Sequence, residues 1–313
     1  MVNIPLSPTY RVADALELEL AFGDDSELAF GDALSLAEEE HEDKHGGTLD
    51  GAGENDKTEN LICEAFRHLT YRTRTFGTAY PFTVQISYGL ERLVSVENLD
   101  SDKNLYRFLL ACSHMNKYTK AEQQNFADIF EEVCVPAAAA YLNGEAVRFG
   151  AAGKKGKSIF NAKLKVALPQ LAKYLNVPPI TFRIEQLQEE NTGDAGIDVV
   201  ARIPFLNDDL FGMVTALGQC TCSAKWDEKV KEAHPVNVEK YFSWHHPTLN
   251  FFFVPFFWRN IVGEWDNQNA LHNSIPFDRL RICRLLTGKI SNELAKDMEA
   301  CLAAKPNLIG HAA

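Results

Sequence analysis

The sequence predicts a mixed α/β protein, with a helical N-terminal region followed by a domain built on a mixed sheet, and three observations predict it. Apolar residues between 61 and 141 recur at helical spacing. Beyond 181 they gather into short β-rich runs bounded by turn residues. The charge also changes sign along the chain, from a strongly acidic start to a basic stretch near the middle. With 313 residues, 46% of them hydrophobic and 24% charged, there is apolar material for one large domain or two modest ones.

Residues 10–37 carry two short helical patterns separated by Gly23-Asp24-Asp25-Ser26, a turn and N-cap signal. Residues 38–60 have almost no apolar content and many Gly and Asp, which predicts a mobile acidic loop. Helical faces follow at Leu61, Ala65 and Leu69, at Leu105, Phe108, Leu109 and Cys112, and at Phe126, Ile129, Phe130 and Val133. Residues 81–86 read as a short strand or an extended link. The second half predicts a helix at 158–176 and strands at 181–184, 196–202 and 213–220. A partly helical segment at 226–241, a buried strand at 249–254 and a closing helix at 277–303, with Pro276 at its start, complete it. The predicted order is α-β-β-β-α-β, and the predicted domains are a helical region at 1–147 and a sheet domain at 148–313.

A net charge of −12 would ordinarily argue against nucleic acid, because phosphate binding draws on Lys and Arg. The distribution reverses that inference. Lys44 and Lys57 are the only Lys or Arg between Asp14 and Glu59, whereas no carboxylate falls between Glu145 and Glu185. That interval holds Arg148, Lys154, Lys155, Lys157, Lys163, Lys165, Lys173 and Arg183. Lys154, Lys155, Lys157 and Lys163 are the candidates for phosphate-backbone contact, beside the start of the 158–176 helix. Gly156-Lys157-Ser158 supplies the end of a Walker A pattern, but its first glycine position is Ala151, so nucleotide binding by that loop is not expected.

Seven scattered cysteines do not suit a disulfide framework and predict reduced thiols. The longest apolar run, 249–258, is about half of the ~20 residues a helix needs to cross a bilayer. The opening residues lack a basic stretch followed by an apolar one, so the expectation is a cytoplasmic protein with no membrane association.

The chemistry is predicted where two apolar strands each contain one polar residue. Asp198 lies in Ile197-Asp198-Val199-Val200, and a buried carboxylate costs several kcal/mol unless it is paired or metal-bound. Gln219 lies in Leu217-Gly218-Gln219-Cys220 and raises the same question more gently. If these strands are antiparallel neighbours, Asp198 and Gln219 converge on one divalent cation, with Asp194 adding charge.

At these residues the sequence resembles the PD-(D/E)XK, or restriction-endonuclease-like, nuclease superfamily. Gly196-Ile197-Asp198-Val199-Val200 matches the acidic second-strand pattern, and Gly218-Gln219-Cys220 matches the glutamine variant of the third. The resemblance covers about 158–258 and departs at the lysine: two residues after Gln219 stands Thr221, and the nearest lysine is Lys225. It implies an αβββαβ core that hydrolyses nucleic-acid phosphodiesters, with DNA the expected substrate and Mg²⁺ or Mn²⁺ the metal. Asp198, Gln219 and Lys225 would be the catalytic residues, and Asp198, Gln219 and Asp194 the metal ligands. The displaced lysine leaves open a non-catalytic subunit that only binds. The chain is also similar to bacterial proteins of phage-defence loci, which implies antiviral defence, with another defence protein or a helicase as partner and an oligomer as an option.

Overall fold

A computed structural model describes residues 9–45, 52–150, 158–191, 194–205, 210, 212–223, 225–230, 236–265, 268–271 and 273–308. In chain order the first elements are α1 (Thr9–Phe22), β1 (Glu27–Ala29), α2 (Phe30–His45), α3 (Ala52–Phe76), β2 (Phe82–Ser87), β3 (Leu90–Ser95) and α4 (Ser101–Cys112). Then come α5 (Lys120–Leu142), β4 (Glu145–Arg148), α6 (Leu164–Leu175), α7 (Thr181–Glu185), β5 (Val199–Ile203) and β6 (Val214–Cys220). The last are α8 (Trp226–Val230), α9 (Val236–Glu239), β7 (Leu249–Phe253), β8 (Ile275–Phe277), α10 (Arg279–Leu286) and α11 (Asn292–Leu302).

The chain divides into two compact units: 1–123 with 256–266 and 287–313, and 124–255 with 267–286. The first unit is mainly helical around a three-stranded sheet of order β1-β3-β2. Its β2–β3 hairpin turns through Tyr88 and Gly89, both at positive φ (53° and 79°), the two-residue geometry that matches strand twist. The helix α4 starts cleanly because the Asp100 side chain accepts from the Lys103 amide at 2.9 Å. At its centre Arg72, fully buried, pairs with Asp14 at 2.6 Å and Glu17 at 2.7 Å.

The second unit holds a five-stranded mixed sheet of order β4-β5-β6-β7-β8. The pairs β4/β5 and β5/β6 are antiparallel, and β6/β7 and β7/β8 are parallel, with α8 and α9 in the crossover from β6 to β7. One face of the sheet is covered by α6, where Leu168, Leu171 and Leu175 pack with Val200, Leu217 and Phe242. The other face meets α5, whose Tyr141 ring stands 5.6 Å from that of Phe251 and 5.1 Å from that of Phe277. Gly218 sits where this face is tightest: a Cβ there would come within 2.9 Å of the Phe253 ring and 3.4 Å of the Val199 Cβ.

Several elements differ from expectation. Residues 181–184 form the helix α7 and not a strand, because Ile180 and Ile184 are one helical turn apart and Ile184 is buried while Phe182 is 58% exposed. The first strand of the sheet is β4 and the helix before it is α5, so the 147/148 boundary cuts through this unit, which begins at residue 124. The strand β4 escapes detection because it has four residues and both its ends are charged. The chain also returns to the first unit twice, at 256–266 and from 287 onward. Most of the predicted acidic loop is helix: α2 runs to 45 and α3 starts at 52, with 46–51 outside the described residues. Glu, Ala and Lys favour helix without needing an apolar face, which composition alone disguised. The closing helix is two helices, α10 and α11, parted near Gly288 at φ 66°. No helix is long and apolar enough to cross a membrane among the described residues.

Candidate active site

A tight turn delivers Asp198 to the sheet. The Asp194 side chain accepts from the Gly196 amide at 2.7 Å, and its carbonyl from the Ile197 amide at 3.1 Å, with Ala195 and Gly196 both at positive φ. Gly150 (φ 96°) allows this turn to lie close, since a Cβ on it would stand 3.1 Å from the Asp194 Cβ. The Asp198 amide then donates to the Gly218 carbonyl at 2.8 Å, although Gly218 is already the cross-strand partner of Val199. Two residues thus oppose one, the pattern of a β-bulge, which re-aims a side chain at a strand end.

The carboxylate is 8% exposed and accepts at 2.7 Å from the Cys220 amide, on the next strand. Burial pushes its pKa well above the usual carboxylate range, and the charges of Glu131 and Asp194 push the same way. The Cys220 hydrogen bond and Arg148 oppose that shift. Glu131 comes from α5, and burial raises it to about 7 against the pull of Arg148.

Arg148, the last residue of β4, organises the acids of α5. Its guanidinium is 2.5 Å from Glu131, 3.2 Å from Asp128 and 3.2 Å from Glu132. Those three carboxylates sit at i, i+3 and i+4 and therefore share one helix face. The result is a partly buried centre in which Asp128, Glu131 and Glu132 pair with one arginine, with Asp198 and Asp194 within its electrostatic reach. Within it Glu131 and Asp198 hold their protons more tightly than free carboxyls, chiefly because they are buried.

The predicted residues fare unequally. Asp198 and Asp194 belong to this centre. Gln219 lies directly beside the amide that Asp198 accepts, yet strand alternation assigns its side chain the face of its partner Phe252, on which Trp226 packs at 6.3 Å between rings. The neighbouring Cys220 thiol instead interacts with that of Cys134 on α5. The described contacts thus gather Asp198 with the acids of α5, and the pairing with Gln219 that the antiparallel register suggested is redirected by the bulge. Lys225 is exposed, just before α8, with its amide donating to the Ser223 hydroxyl at 3.2 Å. The cation at the acids is Arg148. Lys154, Lys155 and Lys157 lie outside the described residues. Lys163 begins α6, about half exposed, 3.8 Å from Glu190.

Sequence reasoning missed Glu131 as a site residue and counted Arg148 only as part of the basic stretch. The available signal was the acid trio Asp128, Glu131 and Glu132 beside the apolar face of Phe126, Ile129, Phe130 and Val133, one short strand ahead of Arg148. Among the described residues no three His, Cys, Asp or Glu side chains are arranged to hold a metal ion. All seven cysteines are free thiols. Comparison with family models, with curated proteins and with solved structures gave no match.

Proposed function

We propose that the second unit is a metal-dependent nuclease with a restriction-endonuclease-like core, hydrolysing nucleic-acid phosphodiesters, with DNA as the expected substrate. The observation that carries this reading is the five-stranded mixed sheet of order β4-β5-β6-β7-β8 behind α5, with α6 and α7 between β4 and β5, α8 and α9 between β6 and β7, and Asp198 at the head of β5 within electrostatic reach of Glu131. Set against an αβββαβ core, the chain carries α6 and α7 as additional helices after the first strand, and the first helix of that core would be α5, N-terminal to where sequence periodicity put it.

Asp198 and Glu131 suit a hard divalent cation: Mg²⁺ takes one or two carboxylates and completes its shell with water and phosphate oxygens. Two desolvated, mutually repelling acids are stabilised by such a charge. When bound, Mg²⁺ or Mn²⁺ supplies a Lewis acid for the phosphate and lowers the pKa of water. The chain's own groups set the geometry. The Cys220 amide orients the Asp198 carboxylate, and Arg148 holds Glu131 in place. Gln219 contributes through its strand, and the basic residues 154–163 hold the phosphate backbone. Lys225, the lysine that the resemblance offers, is exposed just before α8.

A second reading has its own support. Arg148 already answers three acids, and no lysine stands at the position two after Gln219. A non-catalytic subunit that binds nucleic acid or a protein partner fits both facts. The test is incubation of wild type and Asp198→Ala with plasmid, linear DNA and RNA in Mg²⁺, Mn²⁺ or EDTA. Metal-dependent cutting by wild type, abolished in a variant with unchanged circular dichroism, is the expected result. Cutting by the variant at the wild-type rate removes Asp198 from the reaction. Salt-sensitive binding with no cutting under any condition establishes the second reading.

A further inference from the structure

The first unit holds a cavity of about 340 Å³ between α3 and the segment 259–265, within the range of roughly 300–1,000 Å³ typical of small-molecule sites. Glu64, Arg67 and His68, at i, i+3 and i+4 of α3, present one face to it. Arg259, Ile261 and Trp265 line it from the segment.

That segment is a preformed platform. Arg259 and Trp265 are bridged antiparallel, and the turn between them is closed by the Gly263 amide donating to the Asn260 carbonyl at 3.0 Å. The Arg259 guanidinium carbon lies 4.8 Å from the centroid of the Trp265 ring. His68 fixes the platform to α3: its Nδ1 accepts from Arg72 Nε at 3.0 Å, so its Nε2 carries the proton and donates to the Arg259 carbonyl at 2.6 Å. A surface ordered before binding loses less entropy when a ligand arrives.

The charges select the ligand. With His68 neutral, the charged groups among the described lining residues are two guanidiniums and one carboxylate, in a chain of net charge −12. Arg67 is exposed and makes no ion pair among the described residues. Glu64, whose Oε2 accepts from the Thr9 hydroxyl at 3.3 Å, is the acceptor in the cavity. Planar guanidiniums and indoles both stack on nucleobases, guanidinium pairs with phosphate, and a carboxylate accepts from base N–H or ribose O–H groups.

We propose that this cavity binds a nucleotide, with the base against the Arg259–Trp265 pair, the phosphate at Arg67 and a base or sugar donor on Glu64. The site is independent of the acidic centre and does not rest on the nuclease reading.

Isothermal titration of the full chain in EDTA tests it, using AMP, GMP, CMP and UMP, a 5′-phosphorylated oligothymidylate, and inorganic phosphate. Saturable binding of a nucleotide probe is expected, with quenching of tryptophan fluorescence. In Arg67→Glu, an exposed position that leaves circular dichroism unchanged, binding weakens by about tenfold or more. Asp198→Ala protein binds as wild type, so failure of the nuclease reading leaves this result standing. Binding of monophosphates identifies a free nucleotide as the ligand, and binding of the oligomer alone identifies a strand terminus. Equal affinity for inorganic phosphate, an unchanged Arg67→Glu titration, or no binding of any probe at millimolar concentration overturns the proposal.

Discussion

Each unit contains one arginine set among carboxylates, and the two arrangements differ in how the acids are satisfied. In the first unit Arg72 pairs with Asp14 and Glu17, donates to the Tyr10 carbonyl at 2.8 Å and to His68 at 3.0 Å. Glu17 also accepts from the hydroxyls of Tyr80 and of Tyr106, the latter at 2.7 Å. Burial opposes the charge of Arg72, yet Glu17 and Asp14 more than compensate, and its pKa stands well above the ordinary value. In the second unit Arg148 faces more acids than it can neutralise, and Asp198 and Glu131 are both raised. A sealed, fully bonded cluster fixes structure; an acid-rich one leaves protonation free to change, which is a requirement of proton-transfer chemistry.

The largest test of that contrast is Arg72→Met. It leaves Asp14 and Glu17 buried without their cation, and a loss of about 3–5 kcal/mol in urea unfolding is expected. A loss under about 1 kcal/mol would mean that the cluster contributes little beyond packing.

Next in size is the pH dependence of the acidic centre. The native Glu131 carboxyl, at about 7, keeps a proton that the unfolded chain releases near 4.5. The native state therefore binds more protons in that window, so this group's contribution to stability falls as pH rises from about 4.5 to 7 and is fully lost above it. Urea midpoints measured from pH 5 to 8 should decline in wild type and decline less in Glu131→Gln. Parallel curves for the two proteins would contradict the assignment.

The smallest effect is expected from Asp198→Asn. It removes a desolvated charge that Glu131 and Asp194 repel, while an amide oxygen can still accept from Cys220. A gain of about 0.5–2 kcal/mol at pH 8, with lost activity, follows from the usual opposition between stability and function at such sites. Destabilisation by the asparagine would instead place Asp198 with the Arg72 type of cluster.

Legibility followed the strength of the local pattern. The strands β5, β6 and β7 were readable because apolar runs of five to seven residues carry their own signal. The hidden members were β4, short and charged at both ends, and α7, whose β-branched residues imitate a strand. Asp198 was readable because a carboxylate in an apolar run demands a reason. Glu131 was not, because a glutamate on an amphipathic helix looks solvated until the sheet is placed against it. Lys225 was chosen by distance along the chain, which says nothing of where an exposed turn points.

What the sequence determined by itself is the mixed α/β class and the acid at the head of a core strand, because burial pattern and side-chain charge are local properties. Tertiary structure alone decided that the Arg148–Glu131 pair would come within electrostatic reach of Asp198, and that a bulge at Gly218 would redirect it from Gln219. Both depend on which strand lies beside which, and strand pairing is set by long-range packing that no window of adjacent residues contains.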